Sequence, residues 1–128
     1  MEARAAKTPS PQHPITIEAT GARVVVRANG RVVADSNASL TLREGGYPPA
    51  IYIPIGDVDA AQLRSSATST YCPYKGDASY FTIAGTDEDL VDVIWTYDHP
   101  YPAVAAIAGH LSFYPDRVDV TIQDPRRR

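Results

Sequence analysis

The segment Cys72-Pro73-Tyr74-Lys75-Gly76 holds the residues best placed to do chemistry. Pro73 fixes its own φ and restricts Cys72 to extended backbone, and Gly76 allows a sharp turn. The lysine between them is therefore held in a defined place. Such a lysine can meet an anionic or carbonyl group, or act as acid, base or amine nucleophile. It can equally be an exposed lysine on a rigid turn. Cys72 as a nucleophile would need a positioned histidine. Only His13, His99 and His110 are present. The plainer reading of Cys72 is a small buried apolar side chain.

Six aromatic residues are spread along the chain, within this segment and on both sides of it. Tyr52, Tyr74, Tyr80, Trp95, Tyr97 and Tyr114 each lie in or beside a β-like block. A tyrosine offers an apolar ring and a hydroxyl that needs a partner. Converging, the six would line a pocket for a small planar or sugar-like ligand. Otherwise they form an aromatic core. Arg31 follows a tight turn, where it pairs with Asp35 or another acid, or leans toward the pocket. Asp57-Val58-Asp59 has the form of a magnesium-binding acid pair. It opens a turn where acids commonly serve as caps, and no Gly-rich phosphate loop accompanies it. No metal and no cofactor is expected.

Positioning these residues is the work of strands. Ile15 and Ile17 alternate with polar residues, as do Leu40 and Leu42, and Val118, Val120 and Ile122. Period two marks half-buried strands. Residues 23–27 and 31–35 flank Asn29-Gly30, a pair that tolerates positive φ and specifies a hairpin. Residues 51–53, 78–84 and 90–97 add three strands, the last with Val91, Val93, Trp95 and Tyr97 on one face. Residues 65–70 read as an ordered loop or sheet edge. One helix is expected over residues 102–111. Pro102 suits a first helical position, and Val104, Ile107, Ala108 and Leu111 fall at i, i+3, i+4 and i+7. The class is mainly β, a curled antiparallel sheet or two packed sheets with one short helix in the C-terminal half.

At 128 residues the chain suits one domain. Residues 1–14 read as a flexible tail, 15–123 as the β-rich domain and 124–128 as a basic tail. Residues 15–123 hold seven Lys or Arg and thirteen Asp or Glu, a balance of 7 − 13 = −6. So acidic a body argues against a nucleic-acid partner, which requires a basic face. A single cysteine allows no internal disulfide and no Cys-x-x-Cys zinc site. With no apolar run of membrane-spanning length and no apolar leader, no membrane partner is expected and the expected location is cytoplasmic.

The run Thr70 to Tyr80, with Cys72-Pro73-Tyr74-Lys75-Gly76 inside it, resembles the signature of domain-of-unknown-function family number 427, a bacterial family. The Gly30 to Ser36 hairpin, Tyr52-Ile53-Pro54, Val93 to Tyr97 and Phe113-Tyr114-Pro115-Asp116 resemble further blocks of that family, in its order, over roughly residues 20–120. The resemblance implies a compact fold of the Mss4-like or β-tent type, and it brings a nucleotidyltransferase-like label. Zinc-binding relatives of that fold use cysteine pairs, which this chain lacks. Around Asp98-His99-Pro100 the family more often has an acid between two prolines, so any role of His99 is particular to this chain.

Three functions follow from these features. The first is a small-molecule binding domain with an aromatic pocket around Lys75, involving Tyr52, Cys72, Tyr74, Tyr80, Trp95, Tyr97, Tyr114 and Arg31. The second is an enzyme with Lys75 and Tyr80 as catalytic candidates. The third is a homodimeric or partner-binding module that uses exposed sheet edges.

Overall fold

The computed structural model describes residues 6–123. Ten strands make up most of it. They are β1 (Ile15–Ala19), β2 (Arg23–Ala28), β3 (Arg31–Ser36), β4 (Leu40–Glu44), β5 (Ala50–Pro54), β6 (Leu63–Cys72), β7 (Gly76–Ile83), β8 (Leu90–Thr96), β9 (His110–Phe113) and β10 (Asp119–Gln123). The fold is mainly β, as the alternating pattern predicts. Seven strands form one sheet in the order β1-β4-β5-β9-β8-β7-β6, and three form a second in the order β10-β2-β3. Neighbouring strands run antiparallel throughout.

Local sequence explains most of these elements. Asn29 and Gly30 take φ of 54° and 73°, so the β2–β3 hairpin turns through two left-handed residues. This suits the right-handed twist of the strands on either side. The Ser/Thr-rich residues 65–70 lie within β6, which is an edge of the large sheet. Edge strands accept such polar composition because one side faces solvent.

The expected helix over residues 102–111 is not formed as such. Pro102–Ile107 make 3-10 turns with a non-helical break at Val104, where φ is −124°. Gly109 then takes a φ of 73° and residues from His110 enter β9. Val104 and Ile107 are both buried, which the helical stripe anticipated. An i, i+3 spacing fits three residues per turn as well as 3.6, so burial at those two positions does not distinguish the helix types. Pairing of β9 with β5 and β8 then prevails over the helix preference of the alanines.

Two apolar clusters sit on this framework. One packs the three-stranded sheet through Val24, Val26 and Val33 against Ile53, Ile83, Ile94 and Leu111 of the large sheet. The other contains Leu42, Tyr52, Ala78 and Tyr97, covered by Val104 and Ile107, with Tyr80 and Trp95 packed against it. Val91 departs from the expected shared face and is 56% exposed. Asp92, with a φ of 54°, sits where the β7–β8 register shifts, and the shift separates Val91 from Val93 and Trp95.

The large sheet is strongly curled. Glu44 ends β4, and Lys75 lies in the turn between β6 and β7. From β4 to β7 is four strand spacings, roughly 19 Å across a flat sheet. Yet the Lys75 ammonium contacts the Glu44 carboxylate. Only a sheet rolled toward a half-barrel brings the two together. The roll gives the sheet a concave face, and the ion pair bridges its approaching ends.

Candidate functional site

A cleft of about 910 Å³ opens in this region. Its aromatic wall comprises Tyr52, Tyr80, Trp95, Tyr97 and Tyr114, and Val26, Val120 and Ile122 of the small sheet face it. The loop Tyr47-Pro48-Pro49 borders it, because two consecutive prolines cannot extend β5 backward into the ladder. Glu44 and Lys75 are the charged residues among those that line it.

The lysine is fixed from several directions. Its amide donates to the Cys72 carbonyl at 3.2 Å, which closes the turn, and its own carbonyl accepts from the Tyr101 amide at 2.9 Å. Gly76 has a φ of 110°, and an added Cβ there would sit 3.4 Å from the His99 carbonyl oxygen. Only 7% of Lys75 is exposed. Its Nζ donates to Glu44 Oε1 and lies 3.7 Å from Cys72 Sγ. A buried ammonium needs such partners, because desolvation without them is costly.

Behind the carboxylate stands His13. Its Nε2 lies 2.7 Å from Glu44 Oε2, and its ring stacks on Tyr74 with centroids 4.0 Å apart and planes 5° from parallel. The segment carrying His13 crosses between the two sheet ends. The Lys7 amide donates to the Pro73 carbonyl at 2.8 Å, and the Gly45 amide donates to the Pro14 carbonyl at 3.0 Å. Residues 7–14, within the segment read as a tail, thus lie across the Lys75–Glu44 pair as a strap. Burial raises the pKa of the Glu44 carboxyl, but hydrogen bonds from Lys75 and His13 outweigh it and hold the group below the usual carboxylate range.

The aromatic wall is itself bonded together. Trp95 Nε1 donates to Tyr52 Oη at 3.0 Å, with the rings edge to face at 86°. Trp95 also packs on Tyr114, centroids 4.5 Å apart. Burial pushes the Tyr52 phenol up to about 12, and the Trp95 hydrogen bond offsets only part of that. Burial likewise raises Tyr114, with the neighbouring Tyr80 hydroxyl adding to the effect. Tyr97 is 7% exposed and raised by burial and by nearby Tyr52, Cys72, Tyr80 and Glu44. All three phenols remain protonated at neutral pH and can donate hydrogen bonds.

The sequence candidates therefore divide. Tyr52, Lys75, Tyr80, Trp95, Tyr97 and Tyr114 line one cleft. Cys72 stands behind Lys75, and Tyr74 stacks on His13; neither lines the cleft. Arg31 is exposed on β3 of the other sheet and does not reach it, while Asp35 pairs with Arg23 at 2.7 Å instead. Asp57 accepts from Ser36 Oγ at 2.7 Å, which ties it to β3, and Asp59 accepts from the Ala61 amide at 3.2 Å, which caps a local turn. Asp89 pairs with Arg64, within the turn that joins β7 to β8. No group of three or more potential metal ligands occurs among the described residues. The basic residues 126–128 lie outside the described residues. Among these residues no helix is long and apolar enough to cross a membrane.

Sequence reasoning missed Glu44 and His13. The available signal was the need of a motif lysine for a counter-charge. Glu44, at a strand end just before Gly45-Gly46, was a visible acid, but its pairing depends on the curl of the sheet. No curated protein matches the chain. The sequence profile described as Domain of unknown function (DUF427) matches residues 16–124, nearly the whole described fold, and the chain belongs to that family.

Proposed function

We propose that this protein binds a small organic molecule in the cleft lined by Tyr52, Tyr80, Trp95, Tyr97 and Tyr114. The observation that carries the reading is the convergence of seven aromatic residues, these five with Tyr47 and Phe113, and one buried ion pair on a single cleft of about 910 Å³. Ligand sites are typically concave, mostly apolar and of ~300–1,000 Å³, with a few placed polar groups. An ordinary core would fill that space, since interiors pack with few voids. The rings supply stacking faces, the phenols supply donors, and Lys75 supplies a fixed ammonium.

Catalysis by Lys75 is the second reading, and one observation favours it. Glu44 and Cys72 both lie within reach of Nζ, and His13 lies behind Glu44. A lysine that works as acid, base or amine needs such a titratable neighbour. The binding test is a fragment screen read by the fluorescence of Trp95, the sole tryptophan. Saturable quenching by planar fragments, lost in Tyr52→Ala and Trp95-distal controls retained, supports the cleft. Absence of any saturable change refutes it. Reductive trapping of aromatic aldehydes with cyanoborohydride tests the second reading. An adduct mapped to Lys75 alone supports amine chemistry, and random labelling of exposed lysines counts against it.

A further inference from the structure

The charges and free donors in the cleft define a ligand class more narrowly, resting on the proposed binding role. The charged lining residues, Glu44 and Lys75, neutralise each other. An anion entering the cleft must leave water and compete with a carboxylate that Lys75 already holds. A cation would compete with Lys75 for Glu44 in the same way. The rest of the lining is apolar or phenolic. A net charge on the ligand is therefore uncompensated, and a polyphosphate least of all is accommodated.

Two donors and one acceptor remain unspent. An ammonium has three protons. One goes to Glu44 Oε1, and a second points toward Cys72 Sγ at 3.7 Å. The third is left for a ligand. Tyr97 is more than nine-tenths buried and lines the cleft, and its hydroxyl has no hydrogen-bond partner among the described residues. That hydroxyl is not among the fully buried unpaired polar atoms, so it opens to the cleft, where a phenol without a protein partner can donate to a ligand atom. Glu44 is an acceptor through two oxygens with about four lone-pair sites, and Lys75 and His13 occupy one on each oxygen. Capacity to accept from a ligand N–H remains.

We infer that the cleft takes a neutral, planar heterocycle with a ring-amide edge. Its C=O accepts from Lys75 Nζ and Tyr97 Oη, its adjacent N–H donates to Glu44, and its ring lies among Tyr80, Trp95 and Tyr114. A cis ring amide presents acceptor and donor side by side, which matches a lysine and a glutamate held in contact.

Three bicyclic probes of similar size separate the possibilities in 15N–1H NMR titrations, read on the single Trp95 indole resonance. They are 2-quinolone, which has the amide edge, quinoline-2-carboxylate, which is anionic, and naphthalene, which has neither. The expected result is that 2-quinolone binds most tightly. Tyr97→Phe should weaken it about 5- to 10-fold, the loss of one buried hydrogen bond. Glu44→Gln leaves the ammonium uncompensated, so it should move the preference toward quinoline-2-carboxylate. The inference is overturned if wild-type protein prefers the carboxylate, if 2-quinolone binds no better than naphthalene, or if Tyr97→Phe leaves its Kd within about twofold. Naphthalene binding with no amide preference leaves the cleft a ligand site while refuting this class. No binding by any of the three refutes both.

Discussion

Removing the lysine charge alone should destabilise the protein about as much as removing both partners of the ion pair. Lys75→Met leaves Glu44 with only 14% of its side chain exposed and with His13 as its remaining partner. Breaking a buried pair on one side typically costs ~3–5 kcal/mol, because a charge is left uncompensated. Partial access to water and the His13 contact reduce this, so about 2–3 kcal/mol is expected. Glu44→Gln strands the ammonium instead and should cost a similar amount. The double variant has no stranded charge. It should also lose only about 2–3 kcal/mol, well short of the ~5 kcal/mol that additivity requires, so the coupling is about 2–3 kcal/mol. At roughly 4 °C per kcal/mol for a domain of this size, each single variant melts about 8–12 °C below wild type. Thermal and urea denaturation followed by circular dichroism measure all four corners of the cycle. Additive losses, or a Lys75→Met variant as stable as wild type, would refute the claim that this pair joins the ends of the curled sheet.

The pH dependence has a defined sign. The folded-state pKa of Glu44 is depressed, so its contribution is complete above the ordinary carboxylate value near 4.5 and is lost as pH falls through the lower folded value. The stability gap between wild type and Glu44→Gln, from urea midpoints, should be flat above about pH 5 and close below about pH 4.5; a gap that widens on acidification contradicts this. Tyr97→Phe should leave the ligand-free protein as stable or raise it by up to about 1 kcal/mol, since the deleted hydroxyl has no partner among the described residues; a loss above ~1 kcal/mol would reveal a structural bond. Gly76→Ala should cost about 1–2 kcal/mol, because φ of 110° suits glycine and the new Cβ crowds the His99 carbonyl; an unchanged urea midpoint would show that the turn relaxes freely.

What the sequence made legible was local. The Asn29-Gly30 turn, the alternation in β1 and β4, and the Pro73–Gly76 bracket around Lys75 are all read over a few residues, because they rest on backbone restrictions of proline and glycine and on period two. The residues that needed long-range geometry were not legible. Glu44 meets Lys75 only because the sheet curls, and His13 meets Glu44 only because residues 7–14 cross between the sheet ends. The parity of Val91 failed at Asp92, where a left-handed residue shifts the register, and an ordinary strand pattern gives no warning of that. The alanines of residues 103–108 read as helix, yet the chain there must turn at Gly109 in time for β9 to pair with β5 and β8. Arg31 has the parity to lean inward from its strand, but at the start of β3 its side chain is exposed and does not line the cleft.

Native mass spectrometry of the protein purified from its own cells under gentle conditions shows whether the cleft carries a small molecule. A retained organic molecule is expected at up to one per chain, small enough for a cleft of about 910 Å³, displaced by 2-quinolone and less abundant on Tyr97→Phe purified in parallel. A bare chain mass for the wild type, together with an unperturbed Trp95 resonance in the presence of all three probes, would contradict the binding role.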